Sequence, residues 1–120
     1  MASLLVVDDD PLICESLSML LSMKGYQVNA AANGLEALQL LRTCESPPRM
    51  IVLDLMMPVM DGLEFRRHQL ADPGLADIPV IIVTAKTNLE GLEEAKAVKV
   101  IRKPYRPIDL LAIIEAHCGR

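Results

Sequence analysis

Residues 4–12 read LLVVDDDPL. An apolar, β-branched-rich run stops at three carboxylates, Asp8, Asp9 and Asp10, and a proline follows. The run is too short for a buried helix and sits directly before a helix-start signal, so it reads as a buried strand. Asp10 before Pro11 supplies that signal, with the acid as N-cap and the proline as first helical residue. Asp8 and Asp9 are left at a strand end with no local structural reason to be there.

Four further runs have the same character: YQVNA (26–30), MIVL (50–53), VIIV (80–83) and VKVI (98–101). YQVNA and VKVI are the more polar, as edge strands tend to be. Helical spacing fills the gaps. Ile13, Leu17, Leu20 and Leu21 share a face of 11–24, and Leu35, Leu38 and Leu41 share one of 34–43. Leu63, Arg66, Arg67 and Leu70 mark a third helix, 88–96 a fourth, and Leu110, Leu111 and Ile114 the last. Gly25 reads as a C-cap, and Asn33-Gly34 opens the second helix. Pro47-Pro48 and DPGLADIP (72–79) break the chain before the third and fourth strands. Strict alternation predicts an α/β fold, (βα)5 and doubly wound, with helices on both faces of a five-stranded parallel sheet. Sites in such sheets form at the C-terminal strand ends.

A chain of 120 residues, 52% hydrophobic, predicts one folded domain over 1–120. No apolar run approaches the ~20 residues of a membrane span, and the N-terminus lacks a basic n-region, so a cytoplasmic protein without membrane contact is expected. Cys14, Cys44 and Cys118 are odd in number and widely spaced, which reads as ordinary thiols in a reducing compartment. A net charge of −4 and only three aromatics (Tyr26, Phe65, Tyr105) argue against direct nucleic-acid binding.

Beyond the other strands stand Asp54, after the third, Thr84, after the fourth, and Lys103-Pro104, after the fifth. The expected fold brings these to one pocket with Asp8 and Asp9. Two like charges ~4 Å apart near a protein surface repel by about 4 kcal/mol. Lys103 offsets part of that. A hard divalent cation, Mg²⁺ or Mn²⁺, suits the all-oxygen remainder. With the metal in place, a phosphoryl group on Asp54 would find Thr84 and Lys103 as further partners, which is phosphoryl transfer to a carboxylate nucleophile.

The segments VVDDDPLI, VLDLMMPVMDG, VIIVTA and RKPY together resemble the receiver domain of two-component response regulators, in order and over the whole chain. The resemblance implies strand order 2-1-3-4-5. It implies Asp54 as phosphoacceptor for a histidine kinase or phosphotransfer protein. It also implies Asp9, Asp54 and the Met56 backbone carbonyl as direct Mg²⁺ ligands, Asp8 acting through water, and Thr84 and Lys103 binding the phosphoryl group. Pro58 and Gly62 would shape the loop after the third strand and Asp61 would cap the third helix. A downstream protein or effector domain would meet the face of helix 4, strand 5 and helix 5.

Three positions depart from that family's pattern. Val100 stands where an aromatic switch residue is common. The Thr84–Lys103 stretch is about three residues short, and Ile113 replaces a frequent charge, suggesting a short, mobile fourth helix and an apolar partner contact at Ile113. Met56 and Lys86 can neither accept a water's hydrogen bond readily, which suggests slow self-dephosphorylation. A phosphorylation-independent docking module is the competing reading. A flavin site would be repelled by DDDPL, and an acidic-loop phosphatase would need its nucleophile in that loop.

Overall fold

The computed structural model describes residues 3–85 and 92–118. Along the chain run β1 (Ser3–Val7), α1 (Pro11–Met23), β2 (Gln27–Ala31), α2 (Gly34–Thr43), β3 (Met50–Asp54), α3 (Gly62–Ala71) and β4 (Val80–Thr84). A single 3₁₀ turn (Leu92–Ala95), β5 (Lys99–Arg102) and α4 (Pro107–Cys118) follow. The five strands form one parallel sheet in the order β2-β1-β3-β4-β5, as the alternation and the resemblance implied.

Side-chain alternation along the strands builds two cores. Leu5, Val7, Ile51, Leu53, Val80 and Ile82 face α2, α3 and the 3₁₀ turn. Leu4, Val6, Met50, Val52, Ile81 and Val83 face α1 and α4. The helix starts are capped as the sequence suggested. Asp10 accepts from the Leu12 N–H, Asn33 from Glu36 and Asp61 from Glu64, each at 2.9 Å. After α1, Gly25 takes a φ of 94°, its N–H bonds the Ser22 carbonyl, and Tyr26 N–H bonds that of Leu21. This paired closure needs the left-handed residue that glycine supplies.

Two expectations change. The segment expected as a fourth helix over 88–96 is, among the described residues, one 3₁₀ turn; 86–91 lie outside them. Only Leu92 and Ala95 of the turn are buried, an i, i+3 pair that a 3₁₀ turn aligns, while Glu93 and Glu94 face out. In α3 the buried face is Gly62, Phe65, Arg66 and Gln69, and Leu63 and Leu70 are only half-buried. Ile113 is half-buried against the α1/α4 core. Tyr105 packs against the same core, and Val100 packs against the other.

A candidate acidic metal and phosphoryl site

The period of two places the key groups. Continuing past Leu4 and Val6, the α1/α4 side of β1 reaches Asp8. Continuing past Met50 and Val52, β3 reaches Asp54, and past Ile101, β5 reaches Lys103. Asp8 and Asp54 are each 5% exposed. Lys103 Nζ lies 3.1 Å from Asp8 Oδ2 and 3.4 Å from Asp54 Oδ2. The other Asp8 oxygen accepts from the Asp10 N–H at 2.9 Å, and Asp54 Oδ1 accepts a long 3.3 Å bond from the Met56 N–H. Asp9 is exposed, and one oxygen from each of Asp8, Asp9 and Asp54 lies within 4.8 Å of the others.

Three carboxylates against one ammonium is an unbalanced arrangement. Burial, and next the charge of Asp8, hold the Asp54 carboxyl above its ordinary range despite Lys103. Burial pulls the Lys103 ammonium down, but its hydrogen bond to Asp8 and the charges of Asp54 and Asp8 outweigh it and leave it raised. The donor set fits a hard divalent cation. All ligands are oxygens, and octahedral Mg²⁺ at ~2.1 Å needs ligand oxygens about 3–4 Å apart, a small contraction from the spacing present.

Thr84 is fully buried at the end of β4 and shares the strand parity of Val80 and Ile82. Its carbonyl accepts from the Lys103 N–H at 2.8 Å, which ties the ends of β4 and β5 together. The Lys103–Pro104 bond is cis. Lys86 lies outside the described residues.

The loop from Leu55 to Asp61 is held by close backbone contacts. Gly62 N–H bonds the Leu55 carbonyl at 2.9 Å, and a Cβ at Gly62 would lie 2.5 Å from the Asp54 carbonyl oxygen. Only glycine lets α3 start this close to the acceptor strand. Val59 has a φ of 68°, and around it the Met60 N–H bonds the Pro58 carbonyl at 2.7 Å. Two cavities flank the acids. One of about 470 Å³ is lined by Leu12, Ala85, Lys103 and Tyr105, and one of about 460 Å³ by Asp9, Met56 and Asp61. Cys14 donates to the Asp8 carbonyl at 3.3 Å, and burial, then the Asp8 charge, push its thiol up to about 11, which suits an unreactive thiol. No described helix is long and apolar enough to cross a membrane.

This geometry has counterparts. The family model for the response regulator receiver domain matches residues 4–115. Response regulator MprA of a Mycobacterium species is 42% identical over 94% of this chain and 49% of its own length. The chain spans about half the length of the curated relatives it matches. A signal receiver domain of a histidine kinase from Syntrophus aciditrophicus superposes with a TM-score of 0.89 at 30% identity, covering 99% of this chain and 91% of that one. Response regulator TrrA of Thermotoga maritima, solved in complex with Mg²⁺ and BeF, gives a TM-score of 0.83 at 29% identity, with 97% and 98% covered. A match across nearly all of the sheet, with acids and a lysine at its strand ends, identifies this chain as a member of the receiver domain family of response regulators.

Proposed function

We propose that Asp54 is the phosphoacceptor of this receiver, taking a phosphoryl group from a phosphohistidine of a histidine kinase or phosphotransfer protein. The observation that carries this is the buried Asp54 carboxylate, bonded weakly on one oxygen and facing Lys103 on the other. An Asp54 oxygen forms the new P–O bond as the donor's N–P bond breaks, and the leaving imidazole takes up a proton. Lys103, already between Asp8 and Asp54, supplies a cation to the transferred group. The Thr84 hydroxyl binds a further phosphoryl oxygen once the group is in place.

Asp9, Asp54 and the Met56 carbonyl would hold Mg²⁺ directly, and Asp8 through water; Mn²⁺ would serve in its place. Support for this division comes from Asp8, whose oxygens are occupied by Lys103 and the Asp10 N–H, while Asp9 is open. When bound, the metal supplies charge that neutralises the acids and the transferred oxygens. Phosphorylation would then alter the face formed by the 3₁₀ turn, β5 and α4, meeting a downstream protein or effector domain in the cytoplasm. No nucleic-acid or membrane contact is assigned to this domain.

Intact mass after incubation with Mg²⁺ and acetyl phosphate is the test. Wild type should gain about 80 Da and Asp54→Asn nothing. Equal labelling of both would refute Asp54 as acceptor, and labelling of neither would favour a docking module that needs no phosphorylation.

A further inference from the structure

An arginine on a helix ordinarily sends its charge to water. Arg66, on α3, is 4% exposed, and no carboxylate among the described residues pairs with it. Its Nε donates to the Ala95 carbonyl at 2.7 Å and its Nη2 to that of Lys96 at 3.2 Å. Its Nη1 donates to Gln69 Oε1 at 2.7 Å. Gln69, one turn on and wholly buried, donates through Nε2 to the carbonyls of Leu75 and Ile78 at 2.9 and 3.0 Å. The fixed fork of a guanidinium can serve several carbonyls at once, which a point-like ammonium cannot.

The carbonyls belong to two particular segments. Leu75 and Ile78 lie in the stretch that leads into β4, and Ala95 and Lys96 in the stretch that leads into β5. Those strands are bonded to each other from the Val98 N–H to the Val80 carbonyl at one end and from Lys103 to Thr84 at the other. Their far ends present Thr84 and Lys103, about 16 Å away at the rise of a strand. None of the bonds made by Arg66 and Gln69 goes to β1 or β3, which carry the acids.

We infer that Arg66 and Gln69 are positioning residues for the phosphoryl-binding half of the site, fixing β4 and β5, and so Thr84 and Lys103, independently of the metal-binding half. The inference rests on the phosphoacceptor reading above. β5 is a four-residue edge strand with β4 as its only strand neighbour among the described residues, so it depends on what secures its start. Without the guanidinium, the Ala95 carbonyl and the Gln69 oxygen lose donors in a dry interior, the part-buried Lys96 carbonyl loses one, and the Ile78 carbonyl keeps only Gln69. The stretch before β5 must then open to water, and the Lys103 end loses the sub-ångström placement that such a site needs.

The experiment is calorimetric titration of wild type, Arg66→Met and Arg66→Lys, first with Mg²⁺ alone and then with beryllofluoride in saturating Mg²⁺. For Arg66→Met, Mg²⁺ affinity should stay within about twofold and beryllofluoride affinity should fall about tenfold or more. Arg66→Lys should fall in the same direction, because one ammonium cannot span the carbonyls. Parallel loss of both affinities, or unchanged beryllofluoride affinity, would overturn the inference. If Arg66→Met does not fold, Arg66→Lys decides by the same criteria. Wild type that binds Mg²⁺ but not beryllofluoride would overturn the phosphoacceptor reading, and this inference with it.

Discussion

Two buried polar clusters sit at opposite ends of the same sheet. At the C-terminal strand ends, Asp8 and Asp54 share one ammonium, with Asp9 beside them. Toward the start of β4 and β5, Arg66 and Gln69 meet only carbonyls and each other. The first has formal charge left over. The second has a charge with no counter-ion, yet its donors are matched by oriented dipoles. Stored imbalance marks a place where something must bind, whereas matched hydrogen bonding marks a place that is finished. Substituting each cluster should therefore act with opposite sign on the stability of the metal-free protein.

The largest effect is expected at the finished cluster. Arg66→Met strips donors from the buried Ala95 carbonyl and Gln69 oxygen, each costing about 1–3 kcal/mol if left unsatisfied. Partial opening to water should limit the total to about 3 kcal/mol, read from urea denaturation in EDTA. A loss under about 1 kcal/mol would mean that the carbonyls find other partners and that the contrast between the clusters is wrong.

Next comes metal affinity. Asp9→Ala should weaken Mg²⁺ binding about tenfold, or 1.4 kcal/mol, and Asp8→Ala by clearly less. Equal losses would undo the direct and water-mediated assignment. Binding should also weaken in acid, as Asp54, whose carboxyl is raised by burial, takes up a proton that the metal must displace.

At the unbalanced cluster a substitution should stabilise. The Asp54 carboxyl is raised above its ordinary value of 3.8 by burial first and by Asp8 next. A raised folded-state value means that Asp54 favours folding when protonated, and this contribution is lost as pH climbs through the raised value. Asp54→Asn, always neutral, should match wild type near pH 3 and exceed it at pH 7 by on the order of 1 kcal/mol without metal. A deficit at pH 7 would mean that Lys103 already balances the pocket.

The same contrast explains what the sequence made legible. β-branched runs and acids at their ends are local signals, and alternation then carries Asp8, Asp54 and Lys103 to one side of the sheet. Arg66 gave no such signal. Its neighbours Glu64, Arg67 and His68 are exposed, and the face it shares with Gln69 is polar in one-dimensional reading. Only the carbonyls of segments 12 and 29 residues away make that face an interior one. The segment expected as a fourth helix differs, among the described residues, for a related reason. Leu92 and Ala95, three apart, fit an α-helix and a 3₁₀ turn equally, and they belong to one 3₁₀ turn that Lys96 leaves at a φ of 53°.

The smallest effect separates the two regions by backbone rather than charge. Each holds a non-glycine residue at positive φ, Val59 beside the acids and Lys96 against Arg66. Val59 sits at the centre of a γ-turn of the rare, strained hand, and its branched Cβ is poorly suited to it. Lys96 occupies the left-handed region, where an unbranched side chain costs only about 1 kcal/mol, and its carbonyl is bonded by Arg66 at 3.2 Å. Glycine at either site relieves strain but adds about 0.5–1 kcal/mol of unfolded-state entropy. Val59→Gly should therefore gain roughly 0.5–1 kcal/mol, and Lys96→Gly less than half of that. Thermal melts of both variants without metal give the comparison. A larger gain at Lys96 would place the greater backbone strain in the finished cluster and erase the contrast between the two regions.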